Sequence, residues 1–139
     1  MSAEDVIEPV AARIESAVGA ARVVFRYGVP DGPLPDTYLL VTGSVGETSS
    51  GNLSGLADRR TASVDVKSIS RSPDRRQAAR EALWGSRKVV MSLTDFRPPW
   101  AVRRGSRTTW RPDAPTADDS LPDDVVMQAV ARYTLAYQP

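Results

Sequence analysis

The spacing of apolar and polar residues predicts one long helix in the middle of the chain, over Ser72–Leu93. Ser72 followed by Pro73 is typical of a helix start, with the serine hydroxyl as the N-cap and the proline at the first helical position. Small and apolar side chains then recur three or four positions apart, which places them on one face. This predicted face consists of Ala79, Ala82, Leu83, Ser86, Val90 and Leu93. A second stripe, on a different face, consists of Arg76, Arg80 and Arg87.

Other runs predict a second helix and four strands. Residues 3–18 have a helical period, and Pro9 predicts that this helix starts near Glu8 or is kinked there. The predicted strands cover residues 22–27, 38–45 and 61–70 and the end of the apolar run 124–138, whose beginning fits either a helix or a strand. The first part of the last run, Val125–Ala131, also fits a helix, but alternation near its end favours a strand.

The alternation within residues 61–70 is that of a half-buried antiparallel strand, with Val64 and Val66 on one face and Asp65 between them. We expect Leu83 of the long helix to be buried against that apolar face. The elements together predict an α+β fold: a small mixed, mainly antiparallel sheet packed against one main helix (residues 72–93), with an additional N-terminal helix. A length of 139 residues predicts a single domain over residues 1–139.

Residues 46–60 are rich in glycine and serine, and we expect them to form a flexible hairpin tip. Their large apolar side chains are those of Leu53 and Leu56, which are too few to hold such a segment by burial. A tip of this composition becomes ordered on meeting a partner. Leu53, Leu56, Arg59 and Arg60 are therefore candidate assembly contacts.

The composition argues against an enzyme. The chain has no cysteine and no histidine, which excludes disulfides, thiolate nucleophiles, histidine-based triads and nearly all zinc sites. We therefore predict no catalytic residue, no metal and no cofactor. No apolar run approaches the roughly 20 residues that span a bilayer, and the N-terminus lacks the pattern of a signal peptide, so no membrane association is expected.

Charge is segregated along the chain. Residues 1–58 have a net charge of −5, residues 59–111 of +10, and residues 112–139 of −4. One interpretation is that acidic and basic segments pack against each other within one subunit. The other is that separate acidic and basic surfaces favour head-to-tail association or contact with a polyanion.

Arginine and tryptophan are interleaved after the main helix. Trp100 and Trp110 stand among several basic residues, including Arg103, Arg104 and Arg107. Indole rings beside cations suit single-stranded nucleic acid, because bases stack on the rings. Alternatively, the two tryptophans anchor an irregular connection to the core while the arginines lie in solvent.

The order of these elements resembles the tail terminator proteins of long-tailed, siphovirus-type bacteriophages. The resemblance covers Ala3–Gln138. It is carried by VVFRYGVPDG, by RTASVDVKSIS leading into SPDRRQAAREALWGSRKVVM, and by the ending VARYTLAYQP. A chain with sixteen arginines and two lysines also fits an actinobacteriophage origin.

The resemblance implies a virion structural protein with an α+β fold. Such a protein would form a hexameric ring at the head-proximal end of the tail tube, end tube polymerisation and dock to a neck or head-completion protein. Genomic DNA would pass transiently through the ring, and assembly would take place in the host cytoplasm. Two rival interpretations remain: another head–tail connector or tail-tube component, and a single-stranded nucleic-acid-binding module.

A ring of this kind would require side chains that face DNA and side chains that contact neighbours. The candidate channel or DNA-facing residues are Arg76, Arg80, Arg87, Arg103, Arg104 and Arg107. The candidate assembly contacts are Leu53, Leu56, Arg59, Arg60, Trp100 and Trp110.

Overall fold

Two helices lie on one face of a mixed sheet. The computed structural model describes residues 3–46, 60–94, 96, 98, 111–112, 116–118 and 125–137. Its helices are α1 (Ala3–Val18) and α2 (Arg75–Leu93), and a 3-10 turn, Gly19–Ala21, follows α1. Its strands are β1 (Val23–Arg26), β2 (Thr37–Gly46), β3 (Arg60–Ser72), β4 (Arg111–Pro112), β5 (Thr116–Asp118) and β6 (Val125–Tyr137). The predicted α+β fold with a mixed, mainly antiparallel sheet is confirmed.

The strand order is β1-β2-β3-β6, and the short strands β4 and β5 both pair with β6. β1 is parallel to β2, and the other pairs are antiparallel. Val41, Val66 and Ala131 stand side by side across the three long strands. β6 is therefore an interior strand, and Val125–Ala131 is extended rather than helical.

The core lies between the sheet and the helices. Val64 and Val66 are buried on that face of β3, while Asp65 lies on the other, partly exposed face, as the alternation predicts. Tyr133 of β6 is fully buried, and its hydroxyl donates to the Phe96 carbonyl at 3.0 Å. This bond ties the chain just after α2 to the last strand.

Helix α1 covers the β1–β2 side of the sheet. It runs from Ala3 through Pro9 to Val18, so the helical period predicted over residues 3–18 is confirmed and the alternative of a start near Glu8 is wrong. The proline removes one backbone hydrogen bond, but apolar residues on both sides of it are fully buried, and their burial favours a continuous helix. Ile7 packs on the bare backbone of Gly43, where an added Cβ would lie 2.8 Å from Ile7 Cγ1.

Helix α2 starts two residues later than Pro73 and is capped by Asp74, so the predicted Ser72 cap is wrong. The strand β3 extends to Ser72, which pairs with Val125, and the helix begins only at Arg75, so the residue before it, Asp74, is the N-cap. An Asp74 carboxylate oxygen accepts from the Arg76 amide at 2.9 Å. The Ser72 hydroxyl instead accepts from the Asp74 amide at 3.2 Å.

The buried face of α2 is rotated from the predicted one. It consists of Ala78, Ala82, Gly85, Ser86, Val89, Ser92 and Leu93. Leu83 is only half-buried, which corrects the expectation that it lies in the core. The cause is Gly85: an added Cβ there would overlap the Ser68 hydroxyl and lie 3.3 Å from Leu39 Cδ2. The helix turns this bare position towards the sheet and approaches it closely.

Candidate assembly surface

The two helices carry opposite charge on neighbouring parts of one layer. α1 packs against β1 and β2, whereas α2 packs against β3 and β6. The sequence of α1 contains four acidic residues and one arginine, and that of α2 contains five basic residues and one glutamate. Within the helical layer, charge therefore changes from acidic over β1 and β2 to basic over β3 and β6.

The acidic helix is tied to the edge strand by a small polar network. Arg26 Nε lies 3.2 Å from a Glu8 carboxylate oxygen, and the Arg26 guanidinium also pairs with Glu15. The Tyr27 hydroxyl donates to Glu8 at 2.9 Å. Tyr27 has a φ of 70°, in the left-handed region that a residue with a side chain seldom adopts. The turn after β1 is therefore held in place by its contacts with α1.

This network changes two pKa values. Burial lowers the pKa of Arg26, but its hydrogen bond and charge interaction with Glu15, followed by those with Glu8, raise it overall. Desolvation raises the pKa of Tyr27, and the hydrogen bond and negative charge of Glu8 raise it further, to about 12. Both groups therefore keep their protons through the physiological pH range.

The basic helix presents the predicted arginine stripe to solvent. Arg76, Arg80 and Arg87 are all exposed, and their spacing of four and seven residues places them on one side of α2. Arg103, Arg104 and Arg107 lie outside the described residues. The role of either group in contacting DNA stays a prediction.

A second feature of α2 is an exposed tryptophan beside a cleft of about 280 Å³, which is lined by Ala21, Arg22, Glu81 and Trp84. The Arg22 side chain is only 7% exposed and donates to the Glu81 carboxylate at 2.7 Å and to its carbonyl at 3.2 Å. The Arg22 guanidinium carbon lies 4.8 Å from the centre of the Trp84 ring. The Lys88 ammonium lies 5.5 Å from the same centre. Two cations thus lie over the ring of Trp84, which is nevertheless 39% exposed.

Sequence reasoning missed this cleft because its two sides are far apart in the chain. Arg22 precedes β1, whereas Glu81 and Trp84 belong to α2, and their contact depends on how α1 and α2 pack. A local signal was present in α2. Trp84 lies off the predicted small-residue face, with cationic residues three or four positions away on the same helix.

The predicted assembly contacts fall mostly outside the described residues. Leu53, Leu56, Arg59, Trp100 and Trp110 lie there, as does most of the predicted hairpin tip, residues 46–60. The backbone of Arg60 begins β3, opposite Tyr137 of β6. All six residues remain candidate contacts.

Two kinds of site are absent from the described residues. None of the helices in that part of the chain is long and apolar enough to cross a membrane. In the same residues, no group of three or more histidine, cysteine, aspartate or glutamate side chains is placed to hold a metal ion.

Comparisons with known proteins show a distant structural similarity. No protein-family model matches the chain, and no curated protein matches it. Among solved structures, it is similar to a chain described as part of the virion of a native gene transfer agent particle. That similarity has a TM-score of 0.46 and 16% sequence identity, over 96% of this chain and 95% of the other. A similarity of this size carries no argument about function.

Proposed function

We propose that the protein is a virion structural subunit of the tail-terminator kind, which assembles head to tail into a closed ring. The resemblance of its sequence to tail terminators suggests this role. The single observation that carries the proposal is the opposite charge of α1 and α2 on neighbouring parts of the helical layer.

The layout of the two helices favours contact between unlike surfaces of identical subunits. α1 lies over the β1 edge, and α2 lies over β3 and β6. If two subunits stand side by side in the same orientation, the acidic helix of one meets the basic side of the next. A contact of this kind repeats around a ring when the rotation closes, and otherwise makes a filament.

Charge alone would determine the orientation of such a contact but would add little to its affinity. Exposed ion pairs contribute about 0–1 kcal/mol each, so several pairs and some apolar contact are needed. Complementary potentials mainly speed association and exclude wrong orientations. The subunit therefore suits an assembly that forms on a template such as the end of a tail tube.

In this role the ring, a hexamer in the family that the sequence resembles, would cap the head-proximal end of the tube, stop polymerisation and dock to the neck. Two uses are then open to Arg76, Arg80 and Arg87: contact with the acidic helix of the next subunit, or a weak hold on DNA in the channel. A conduit should bind DNA weakly, because a genome held by many phosphate contacts would not slide through it. Each such contact adds about 0.9 to the slope of log affinity against log salt, so a ring that grips DNA would show a steep salt dependence.

The experiment measures mass by light scattering and shape by negative-stain microscopy, alone and with tail tubes of the same virus. We expect a closed ring in low salt or on tube ends, and its loss in Arg80→Glu/Arg87→Glu. The control is Lys67→Glu, which makes the same kind of charge reversal on the opposite face of the sheet.

The results separate the alternatives. A wild-type protein that stays monomeric and also fails to bind tube ends refutes the proposed function. A ring that survives Arg80→Glu/Arg87→Glu but loses its weak affinity for duplex DNA assigns the arginine stripe to the channel.

A further inference from the structure

The exposed large hydrophobic residues of the described part of the chain lie on the β1 edge and on α2. They are Val23, Tyr27, Val29, Trp84 and Met91. Trp84 differs from the others because it borders the cleft and has Arg22 and Lys88 over its ring. Tryptophan and arginine are the residues most often found at the energetic centre of protein interfaces.

We propose that the Trp84 cleft is the docking site for the acidic, proline-containing segment 112–124 of a neighbouring copy of this chain. The inference rests on the proposed function, because it requires that subunits meet side by side. It adds the two surfaces that meet: the cleft on one subunit, and on the next the segment that follows β4 and contains β5.

The chemistry of the two surfaces is complementary. Besides Arg22 and Lys88, the indole has Arg80 four positions before it and Arg87 three positions after it on the helix, and Glu81 is the one acidic residue of α2. Segment 112–124, PDAPTADDSLPDD, contains five aspartates, three prolines and one leucine, and no basic residue. Prolines and leucine suit contact with an indole, as in the aromatic grooves that bind proline-rich peptides, and the aspartates suit the cations around it.

The sheet order favours the cleft of another subunit over the segment's own cleft. β4 and β5 pair with β6, whereas β1 and β2 lie on the other side of β3. The cleft opens between Ala21 and Arg22, just before β1, and the side of α2 that Arg22 contacts. When two subunits stand side by side in the same orientation, the β6 side of one faces the β1 side of the next, which brings the segment of one subunit to the cleft of the other.

The cations over the ring favour a protein segment over a nucleic acid. A base that stacks on an indole needs a free ring face. At Trp84 a base would compete with Arg22, which is held by two hydrogen bonds to Glu81. An acidic segment would instead leave both cations over the ring in place and pair with the accessible ones, Lys88, Arg80 and Arg87.

The test uses the full-length chain and a fluorescein-labelled peptide of residues 112–124. By fluorescence anisotropy at low salt, we expect the peptide to bind to dilute, monomeric protein. Binding should weaken at least tenfold in Trp84→Ala and in Lys88→Glu, and also when the five aspartates of the peptide are changed to asparagine. Met91→Ala is the matched control, since Met91 is 70% exposed on the same helix, and it should bind the peptide as the parent does.

The same variants are then compared in the ring assay. Loss of the ring in Trp84→Ala and Lys88→Glu, with the ring kept in Met91→Ala, supports the inference. Rings that persist in all variants, with no peptide binding, overturn it and leave the proposed function standing. If neither the parent nor any variant forms a ring, the proposed function fails. The peptide titration alone then decides whether the cleft binds the segment. Binding of labelled oligo-dT that is lost in Trp84→Ala, without peptide binding, would make the cleft a nucleic-acid site.

Discussion

Replacing Gly85 with alanine tests the close approach of α2 to the sheet. In a helix, glycine to alanine normally stabilises by about 1 kcal/mol. Here the new Cβ would overlap the hydroxyl of Ser68, which is 1% exposed, and would lie 3.3 Å from Ser68 Cβ and from Leu39 Cδ2. Overpacking of a tight core costs about 1–3 kcal/mol, and the buried hydroxyl leaves little room for relief. The difference between this cost and the helix gain is about 0–2 kcal/mol, and because the hydroxyl is buried we expect Gly85→Ala to lower the free energy of unfolding towards the upper end of that range.

Urea unfolding followed by circular dichroism measures the effect, with a shifted midpoint and an unchanged slope. Ser68→Ala removes the obstructing oxygen, so Gly85→Ala in that background should be neutral or stabilising by up to about 1 kcal/mol. The control compares Arg87→Ala with Arg87→Gly at an exposed position of the same helix. It measures how much the free energy of unfolding differs between alanine and glycine where no packing is involved. If Gly85→Ala is as stable as the parent, and the Ser68→Ala background makes no difference, the helix does not approach the sheet as described.

Three other predictions follow from buried or coupled groups. Tyr133→Phe should lose about 1 kcal/mol of unfolding free energy, because the buried ring stays but the bond to the Phe96 carbonyl is lost; an unchanged urea midpoint would contradict this. Leu93→Ala should cost about 2–5 kcal/mol and Leu83→Ala clearly less, since Leu93 is fully buried and Leu83 is not; equal costs would contradict the observed helix face. Tyr27 should titrate near 12 in the folded protein, so its contribution to stability is complete below the unfolded value of about 10 and is lost as the pH rises from there towards 12. Absorbance titration of the parent and of Tyr27→Phe checks this, because the variant should lack the tyrosine that ionises near pH 12 in the parent. If the variant instead lacks a tyrosine that ionises near pH 10, the ordinary value of about 10, the reasoning is refuted.

The sequence predicts those features that depend on local periodicity. The alternation around Asp65 in β3 fixes which side chains enter the core, because a one-residue shift would turn every side chain to the other face. The start of α2 was misplaced because Ser72 and Pro73 form a reasonable cap on their own. Only the pairing of Ser72 with Val125, far along the chain, shows that the strand continues.

The exact helix face and the cleft could not be predicted for a related reason. Glycine is a poor helix former, so Gly85 carries no local signal that it is the point of closest approach. Its role depends on Ser68 of another element. The cleft likewise needs Arg22 to cross from the start of β1 to α2 and bind Glu81. Periodicity places Trp84 on a helix surface but does not say which distant cation covers it.

The position of β6 in the sheet has a consequence for how the subunit is made. β6 follows all the other strands in sequence, yet it pairs along the whole length of β3 and supplies Tyr133 to the core. During synthesis, β3 therefore has one unpaired edge and α2 has an incomplete support until residues 125–137 have emerged. Pairing over such sequence distances is slow, and an exposed strand edge promotes association with other chains. The nascent chain thus passes through an aggregation-prone stage, and shortening the last strand should reduce the yield of soluble protein before it changes any assembled particle.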